Sequence, residues 1–298
     1  MAKKAWGGLW TEQKLDAFEK YVKAYLTIMN NNRDKFGWKL IYFDAFAGSG
    51  SREAGQEQDD KNKIPLFDIT EEDEAVYCGA AERVVNIDLR GFDYYCFIES
   101  DETSKSELEQ KLDPIRVTKN LDLRFRYGDA NEYIKKLAET IRSDSNKYRS
   151  LAMIDPFGMQ VNWESIEQFK GTKTDLWILI PSGVIVNRLL DRNGKLPHIE
   201  KLVSFFGLSE SEIKEQFYKK QTSMGLFDME DDIKKVSEPI KKITEVYIQK
   251  LMTIFDYVTP KPLVLFNSRN VPIYHFAFAS NNPTALKIAD EIIGGGKK

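Results

Sequence analysis

Four short stretches of this chain place chemistry-bearing residues at or directly after the ends of apolar runs of strand length. The first, Lys39–Asp44 (KLIYFD), continues through Ala45, Phe46, Ala47, Gly48, Ser49 and Gly50. A glycine-containing turn at the carboxyl end of a strand lets a ligand approach the backbone, because no Cβ stands in the way. The loop lacks the Gly-Lys-Ser/Thr of a P-loop, which rejects ATP or GTP bound in that manner. Where a dinucleotide fingerprint needs a third glycine, Glu53 stands and would repel a pyrophosphate, so NAD is disfavoured. S-Adenosylmethionine carries no phosphate and is cationic at sulfur, which suits an acidic strand end beside a short Gly-x-Gly turn. A strand-to-helix turn without a ligand is the plainer alternative. The complete D-x-F-x-G-x-G order favours the cofactor.

A cofactor with a ribose calls for a second carboxylate on the next strand, to accept from the sugar hydroxyls. Glu99, at the end of Tyr94–Glu99 (YYCFIE), stands there, nearly fifty residues after Gly50 because an acidic insertion intervenes. Alone it would read as an ordinary strand-end carboxylate. Leu123–Tyr127 (LRFRY) is followed by Gly128, Asp129 and Ala130, where a carboxylate and the neighbouring amide could hold the amino edge of adenine. Asp129 is equally suited to cap the following helix.

The fourth stretch, LAMIDPFG, presents Asp155, Pro156, Phe157 and Gly158 at the same sheet edge. Exocyclic amines of nucleobases are weak nucleophiles because the lone pair is delocalised into the ring. A carboxylate and a backbone carbonyl that both accept N–H hydrogen bonds can pull the nitrogen toward tetrahedral geometry and aim it at a methyl group. Asp155 and the Pro156 carbonyl have that chemistry, and Phe157 could stack on a base turned out of its helix. Taken by itself the tetrapeptide also fits an Asp-Pro turn with a core phenylalanine. Trp163 is expected to pack the next helix.

DAFAGSG together with DPFG resembles the cofactor and catalytic motifs of class I methyltransferases that modify nucleobase amino groups. The DPFG form is similar to that of tRNA guanosine N2-dimethyltransferases. More closely, WTEQKLDAFEKYVKAYL, YFDAFAGSG, FIES, GDAN, DPFG and YHFAFASNNP, in this order across nearly the whole chain, resemble the three-Cys-motif partner proteins (TcmP). That resemblance implies a methyltransferase fold, S-adenosylmethionine as cofactor, and a protein partner bearing a radical-SAM-like cysteine motif. Ser49 departs from the proline frequent in the family's loop.

The elements that must position these residues follow from periodicity. Leu15, Phe18, Tyr21, Val22, Tyr25, Leu26 and Met29 mark an amphipathic helix that opens at Thr11 and is expected to end near Asn30 to Asn32. Lys39–Asp44, Tyr94–Glu99, Leu123–Tyr127, Leu151–Asp155 and Leu176–Ile180 alternate with helical patterns, as in a parallel sheet with crossover helices. After Pro181 about 75 residues read as helical, including an amphipathic stretch from Asp231 to Tyr257. Strands at Pro262–Phe266 and Ile273–Ala279 and a helix from Pro283 to Ile293 close the chain. The expected fold is α/β, a Rossmann-like class I methyltransferase sheet of parallel strands plus a C-terminal antiparallel hairpin. The core spans 1–180 and 259–298, with an acidic insertion near 51–75 and a helical insertion at 181–258.

Composition bounds the rest. The 298 residues suit one enlarged domain or two small ones at about 150 per domain. A 42% hydrophobic content is ample for a packed core. Two cysteines and two histidines make a metal cage an unattractive reading. No apolar run approaches the roughly 20 residues of a membrane span and the start lacks a signal-peptide core, so a soluble, cytoplasmic protein without a membrane partner is expected. Gly50 to Ala75 holds nine carboxylates against three basic residues, and a net charge of −3 offers nucleic acid no global attraction. A bound strand would need a local basic surface, for which Arg188, Arg192, Lys195, His198 and Lys201 are the candidates. Three functions therefore stay open: a methyltransferase for a nucleobase amine in DNA or RNA, a partner subunit without independent catalysis, and a small-molecule or protein methyltransferase.

Overall fold

The computed structural model describes residues 9–49, 79–224 and 229–295; Gly50 and the acidic insertion lie outside the described residues. Helix α1 (Leu9–Phe36) precedes β1 (Lys39–Asp44). Then follow α2 (Gly79–Asn86), β2 (Tyr94–Glu99), α3 (Glu102–Lys119), β3 (Leu123–Tyr127), α4 (Ala130–Ser143), β4 (Tyr148–Ile154), α5 (Trp163–Glu167) and β5 (Thr174–Ile180). The main sheet runs β3-β2-β1-β4-β5-β10-β8. Its first five strands are parallel, and β10 (Pro272–Ser280) lies antiparallel to β5. The outer edge of β10 is shared by β9 (Leu263–Phe266) and by the two-residue β8 (Tyr257–Val258). Helix α9 (Pro283–Gly295) ends the described chain. Reversal of strand order at β1/β4 puts the ends of β1, β2, β3 and β4 along one edge, the place where open α/β sheets bind ligands. This is the Rossmann-like sheet of class I methyltransferases, as the alternation of strands and helices leads one to expect.

The central strands are buried on both faces. Leu40, Tyr42, Leu151, Ala152, Met153, Ile154, Leu176 and Trp177 are inaccessible to solvent, which is why these runs carry no polar alternation. Helix α1 lies across the sheet. Its Phe18 packs between Tyr42, Trp177 and Phe276, Tyr21 meets Phe278 at 4.8 Å, and Trp10 stacks on Tyr274 at 5.3 Å. The helix continues past Asn30 to Asn32 because their side chains find work: Asn32 donates to the Ile28 carbonyl and Asn30 to Arg90. It stops before Gly37, whose φ of +67° suits a residue without Cβ.

The stretch after Pro181 departs from expectation. It begins as a π-helical turn, Ser182–Val186, runs into Asn187–Leu189, and forms α6 (Ile199–Phe206) and α7 (Glu210–Phe217). It then makes a two-stranded antiparallel ribbon, β6 (Tyr218–Met224) with β7 (Met229–Lys235), where helix was expected. Both segments are mostly polar, and Met229 and Ile233, one apolar pair at four residue spacing, are too little to bury a helix face. The amphipathic stretch therefore begins only at α8 (Pro239–Leu251), where proline's fixed φ and missing N–H suit a first helical turn. Among the described residues no helix is long and apolar enough to cross a membrane.

Candidate functional site

Asp44 ends β1, in register with Met153 of β4 and Phe97 of β2. Backbone pairing continues past the strand: Ala45 N donates to the Met153 carbonyl at 3.0 Å and Ala47 N to the Ile98 carbonyl at 2.9 Å. Ala45, Ala47 and Ser49 are buried as a result, and Phe46 is half-buried. Phe46 N folds back onto Asp44 Oδ1 at 3.2 Å. Gly48 has φ +66°, and a Cβ built there would meet nothing within 4 Å. Conformation rather than crowding demands glycine here, since no other described residue stands where its Cβ would be.

Glu99 holds this loop to the next. Its Oε2 accepts from Gly48 N at 2.9 Å, while Oε1 accepts from Ser100 N and Asp101 N at 2.8 and 3.0 Å. Ser100 Oγ also donates to Oε1, at 3.4 Å, so Oε1 is taken up and, at about two lone pairs per oxygen, roughly one is left on Oε2 for a ribose hydroxyl. The sequence-based expectation of a free carboxylate receiving both hydroxyls is thus reduced to a shared one, because the backbone amides of two loops converge on it first.

Asp129 caps α4 by accepting from Asn131 N at 2.9 Å, and Ala130 is the buried first residue of that helix. The exposed second oxygen of Asp129 points to no partner among the described hydrogen bonds. Asn131 then ties this corner to the β4 loop, with Nδ2 donating to the Gln160 carbonyl at 2.8 Å and Oδ1 accepting from Asn162 N at 3.0 Å. Trp163 meets Tyr247 of α8 edge to face at 5.8 Å, the packing role expected of it.

Just beyond β4, Asp155 and Pro156 are buried, Phe157 is half-buried, and Gly158 N donates to Gln160 Oε1 at 2.7 Å. A Cβ on Gly158 would stand 2.8 Å from Ile185 Cδ1, so glycine lets the Ser182–Val186 turn close over this loop. Lys14 of α1 reaches Asp155 Oδ2 at 2.5 Å, with side-chain exposures of 1% and 5%. Asp155 Oδ1 is buried, and among the described residues no donor reaches it. An unpaired buried carboxylate oxygen is costly. It marks a place for a donor.

Asp44 lies in the same electrostatic group. Burial, augmented by the charge of Asp155, pushes its carboxyl up to about 7 despite the Phe46 amide, the Tyr42 hydroxyl and the Lys14 ammonium. Tyr42 donates to Asp44 Oδ2 at 3.2 Å. Asp44, Glu99, Asp129 and Asp155 thus line one sheet edge, an arrangement that fits a cationic sulfonium ligand and opposes a polyphosphate.

Three participants escaped sequence reasoning: Lys14, Tyr42 and Asn131. Lys14 had a readable signal. Counted with Phe18, Tyr21, Val22 and Tyr25 it falls on the apolar face of α1, where a lysine needs a buried counter-charge.

No protein-family model and no curated protein matches the chain. Two solved structures are similar. One is protein LPL1258 from Legionella pneumophila str. Philadelphia 1, of family model DUF519, with 14% identity, a TM-score of 0.45, and coverage of 93% of this chain and 90% of that one. The other is Trm1 from Pyrococcus horikoshii in complex with S-adenosyl-L-methionine, with 10% identity, a TM-score of 0.37 and 94% of this chain covered. The match spans 58% of the second protein's length.

Proposed function

We propose that this chain is an S-adenosylmethionine-dependent methyltransferase acting on an exocyclic amino group of a nucleobase in DNA or RNA. The observation that carries the reading is the state of Asp155: one oxygen is held by buried Lys14, the other is buried without a donor, and both lie beside the loop of Asp44 to Gly48. When bound, the cofactor supplies a methyl group on a positively charged sulfur. Gly48 leaves room above the loop, Glu99 braces it and offers its remaining lone pair to the ribose, and Asp129 stands at the adenine corner.

An incoming amine donates one N–H to Asp155 Oδ1 and another to the Pro156 carbonyl, which directs its lone pair away from the ring plane. Lys14 keeps the carboxylate from rotating, so the acceptor is oriented before substrate arrives. As the nitrogen gains positive charge, Asp155 stabilises it, and the proton is released afterwards without need of a strong base. Phe157, half-buried at the loop, offers a face for the turned-out base. The motif order of the three-Cys-motif partner family supports the same cofactor and adds a protein partner with a three-Cys motif.

The test is incubation of purified protein with methyl-tritiated S-adenosylmethionine and, separately, total cellular DNA, tRNA and protein. Label in a nucleic acid fraction, on a base nitrogen after nuclease digestion, is the expected outcome. Label only in the protein fraction, or on ribose, sinks the amine reading. Cofactor binding by calorimetry with no transfer to any fraction leaves the partner-subunit reading in its place.

A further inference from the structure

The sheet face turned away from α1 carries a cavity that methyl transfer does not use. Tyr42 meets Phe18 of α1, so its strand neighbours Ile41 and Phe43 point to the opposite side. There α4 packs on β4 and β2 and buries Ile134, Leu137 and Ile141. Its flank leaves a cavity of about 300 Å³ over β1, β2 and β3. Small-ligand pockets begin at about that volume. The floor is apolar, made of Ile41, Phe43, Ile98 and Leu137 with Cys96 half-buried among them. Burial pushes the Cys96 thiol up, the Arg124 and Arg126 charges pull it down, and Asp122 adds a smaller upward push. Both guanidinium groups are therefore felt at the floor.

The charged lining is cationic. Arg124, Arg126 and Lys136 border the cavity, and among the described residues no carboxylate does. Arg124 and Arg126 stand two apart on β3 and so share a face, in register with Cys96 and Ile98. Two of the three cations have a carboxylate outside the lining. Asp122 accepts from Arg124 Nε and Nη2 at 3.0 and 2.8 Å, and Glu132 lies 3.8 Å from Lys136 Nζ. Arg126 forms no ion pair among the described residues; its Nη1 donates to the Phe125 carbonyl at 2.8 Å. Positive charge is thus in surplus, and the Arg124 fork keeps its Nη1 edge for another acceptor. The cations are also held in place. Arg124 lies 4.3 Å from the Tyr94 ring centroid and Lys136 4.5 Å from that of Tyr133, whose Oη donates to the Tyr127 carbonyl at 3.3 Å. Charge on an edge strand can serve only to discourage pairing with another chain. Cations converging on an apolar cavity do more, since a cleft lined by one sign of charge concentrates its field on an ion of the other.

We infer that this cavity binds a single nucleotide, with the base on the apolar floor and the phosphate held by Arg126 and the remaining edge of Arg124, Lys136 adding charge from α4. Planar guanidinium forks match the oxygens of a phosphate, and the flat floor suits an unsaturated ring. A free nucleoside monophosphate and the 5′-terminal nucleotide of a strand carry the same chemistry. The site is separate from that of methyl transfer, whose Asp44 and Asp155 lie on the α1 face with Tyr42 and Lys14. Its failure would leave the methyltransferase reading intact.

Calorimetry on the full chain with adenosine, guanosine, cytidine and uridine 5′-monophosphates, each with and without saturating S-adenosylhomocysteine, is the test. At least one nucleotide should bind at millimolar concentration or below, equally well in both conditions. Its nucleoside and inorganic phosphate, each half of the ligand, should bind about 10-fold or more weakly. Arg126→Ala/Lys136→Ala should lose about 10-fold or more in affinity, with a thermal melt like that of wild type because both side chains are exposed. Lys20→Ala/Lys241→Ala, an equal charge change at exposed positions of α1 and α8, should bind like wild type. Cys96→Leu fills the floor, so its melt should hold or rise while nucleotide affinity falls about 10-fold or more. A 5′-phosphorylated trinucleotide separates the two sources: affinity equal to the monophosphate assigns the strand end, and weaker binding assigns the free nucleotide. If no monophosphate binds, or if Arg126→Ala/Lys136→Ala binds as wild type does, the assignment is wrong. Displacement of the nucleotide by S-adenosylhomocysteine would put it at the cofactor loop and overturn the assignment as well.

Discussion

Two carboxylates lie beneath α1 at opposite edges of the sheet, and the helix treats them differently. At the carboxyl edge Asp155 is buried, takes a lysine on one oxygen and, among the described residues, leaves the other without a donor. At the amino edge Asp175, at the start of β5, accepts from Tyr21 Oη at 2.7 Å on one oxygen and from Ser280 Oγ at 2.6 Å on the other. Burial raises the Asp175 carboxyl, and neutral hydroxyls satisfy it. At Tyr21 the helix closes a polar network; at Lys14 it leaves a network one donor short among the described residues. The satisfied end only fastens α1 to β5 and β10, whereas the unsatisfied end has a cost that substrate can repay.

The sharpest way to break this comparison is Asp155→Ala. Turnover should fall by two to three orders of magnitude, because an oriented acceptor made for the transition state is gone. Cofactor affinity measured by calorimetry should stay within a few fold. The same variant leaves Lys14 buried without its counter-charge, so chemical unfolding should show a loss of about 3 to 5 kcal/mol. Next in size is Lys14→Met, with a stability loss of about 3 kcal/mol and a lower turnover because Asp155 is free to rotate. The double variant Lys14→Met/Asp155→Leu should regain most of that stability and none of the turnover. Recovery of activity in it would show that the pair is only structural.

Protonation offers a smaller probe. Asp44 has a folded pKa near 7, above its ordinary 3.8. The folded state therefore holds the extra proton between those values, and the stabilisation is complete below about pH 4 and is lost as pH rises through 7. Unfolding free energy should fall by up to about 1.4 kcal/mol per pH unit in that window, and Asp44→Asn should flatten it. A cationic cofactor favours the ionised form, so its affinity should rise about tenfold or more between roughly pH 5.5 and 8.5 in wild type and stay level in Asp44→Asn.

The smallest effects belong to the amino edge. Tyr21→Phe and Ser280→Ala each leave one Asp175 oxygen without its donor, and thermal or urea unfolding should register about 1 to 2 kcal/mol for each. Methyl transfer at a temperature where both variants are folded should equal wild type. A turnover loss there comparable with that of Lys14→Met would erase the distinction between the two edges.

Much of the fold was legible in one dimension because its signals are local. β1, β2 and β3 have the bounds that their apolar runs indicate. Buried parallel strands must be apolar on both faces, and such runs cannot hide. The ribbon was not legible. Its residues are polar, and what makes them strands is their pairing with each other and the anchoring of Lys235 and Tyr218 to a loop far earlier in the chain. Within the site, Asp44, Glu99, Asp129 and Asp155 were found from their places at strand ends. Their partners were not, since Lys14 is 141 positions from Asp155 and Gly48 51 from Glu99.

The amino-acid sequence by itself determined the alternation of strands and helices, the acidic ends of the first four strands and hence the sheet edge at which chemistry collects, because strand order follows from hydrophobic runs and short connections. Only the tertiary structure decided what each carboxylate is free to do. Glu99 is spent largely on two loops, Asp129 caps a helix, and Asp155 alone among them keeps a buried oxygen without a donor. Whether a polar group is satisfied depends on which distant groups the folded chain brings within about 3 Å, and residue type and spacing along the chain do not contain that distance.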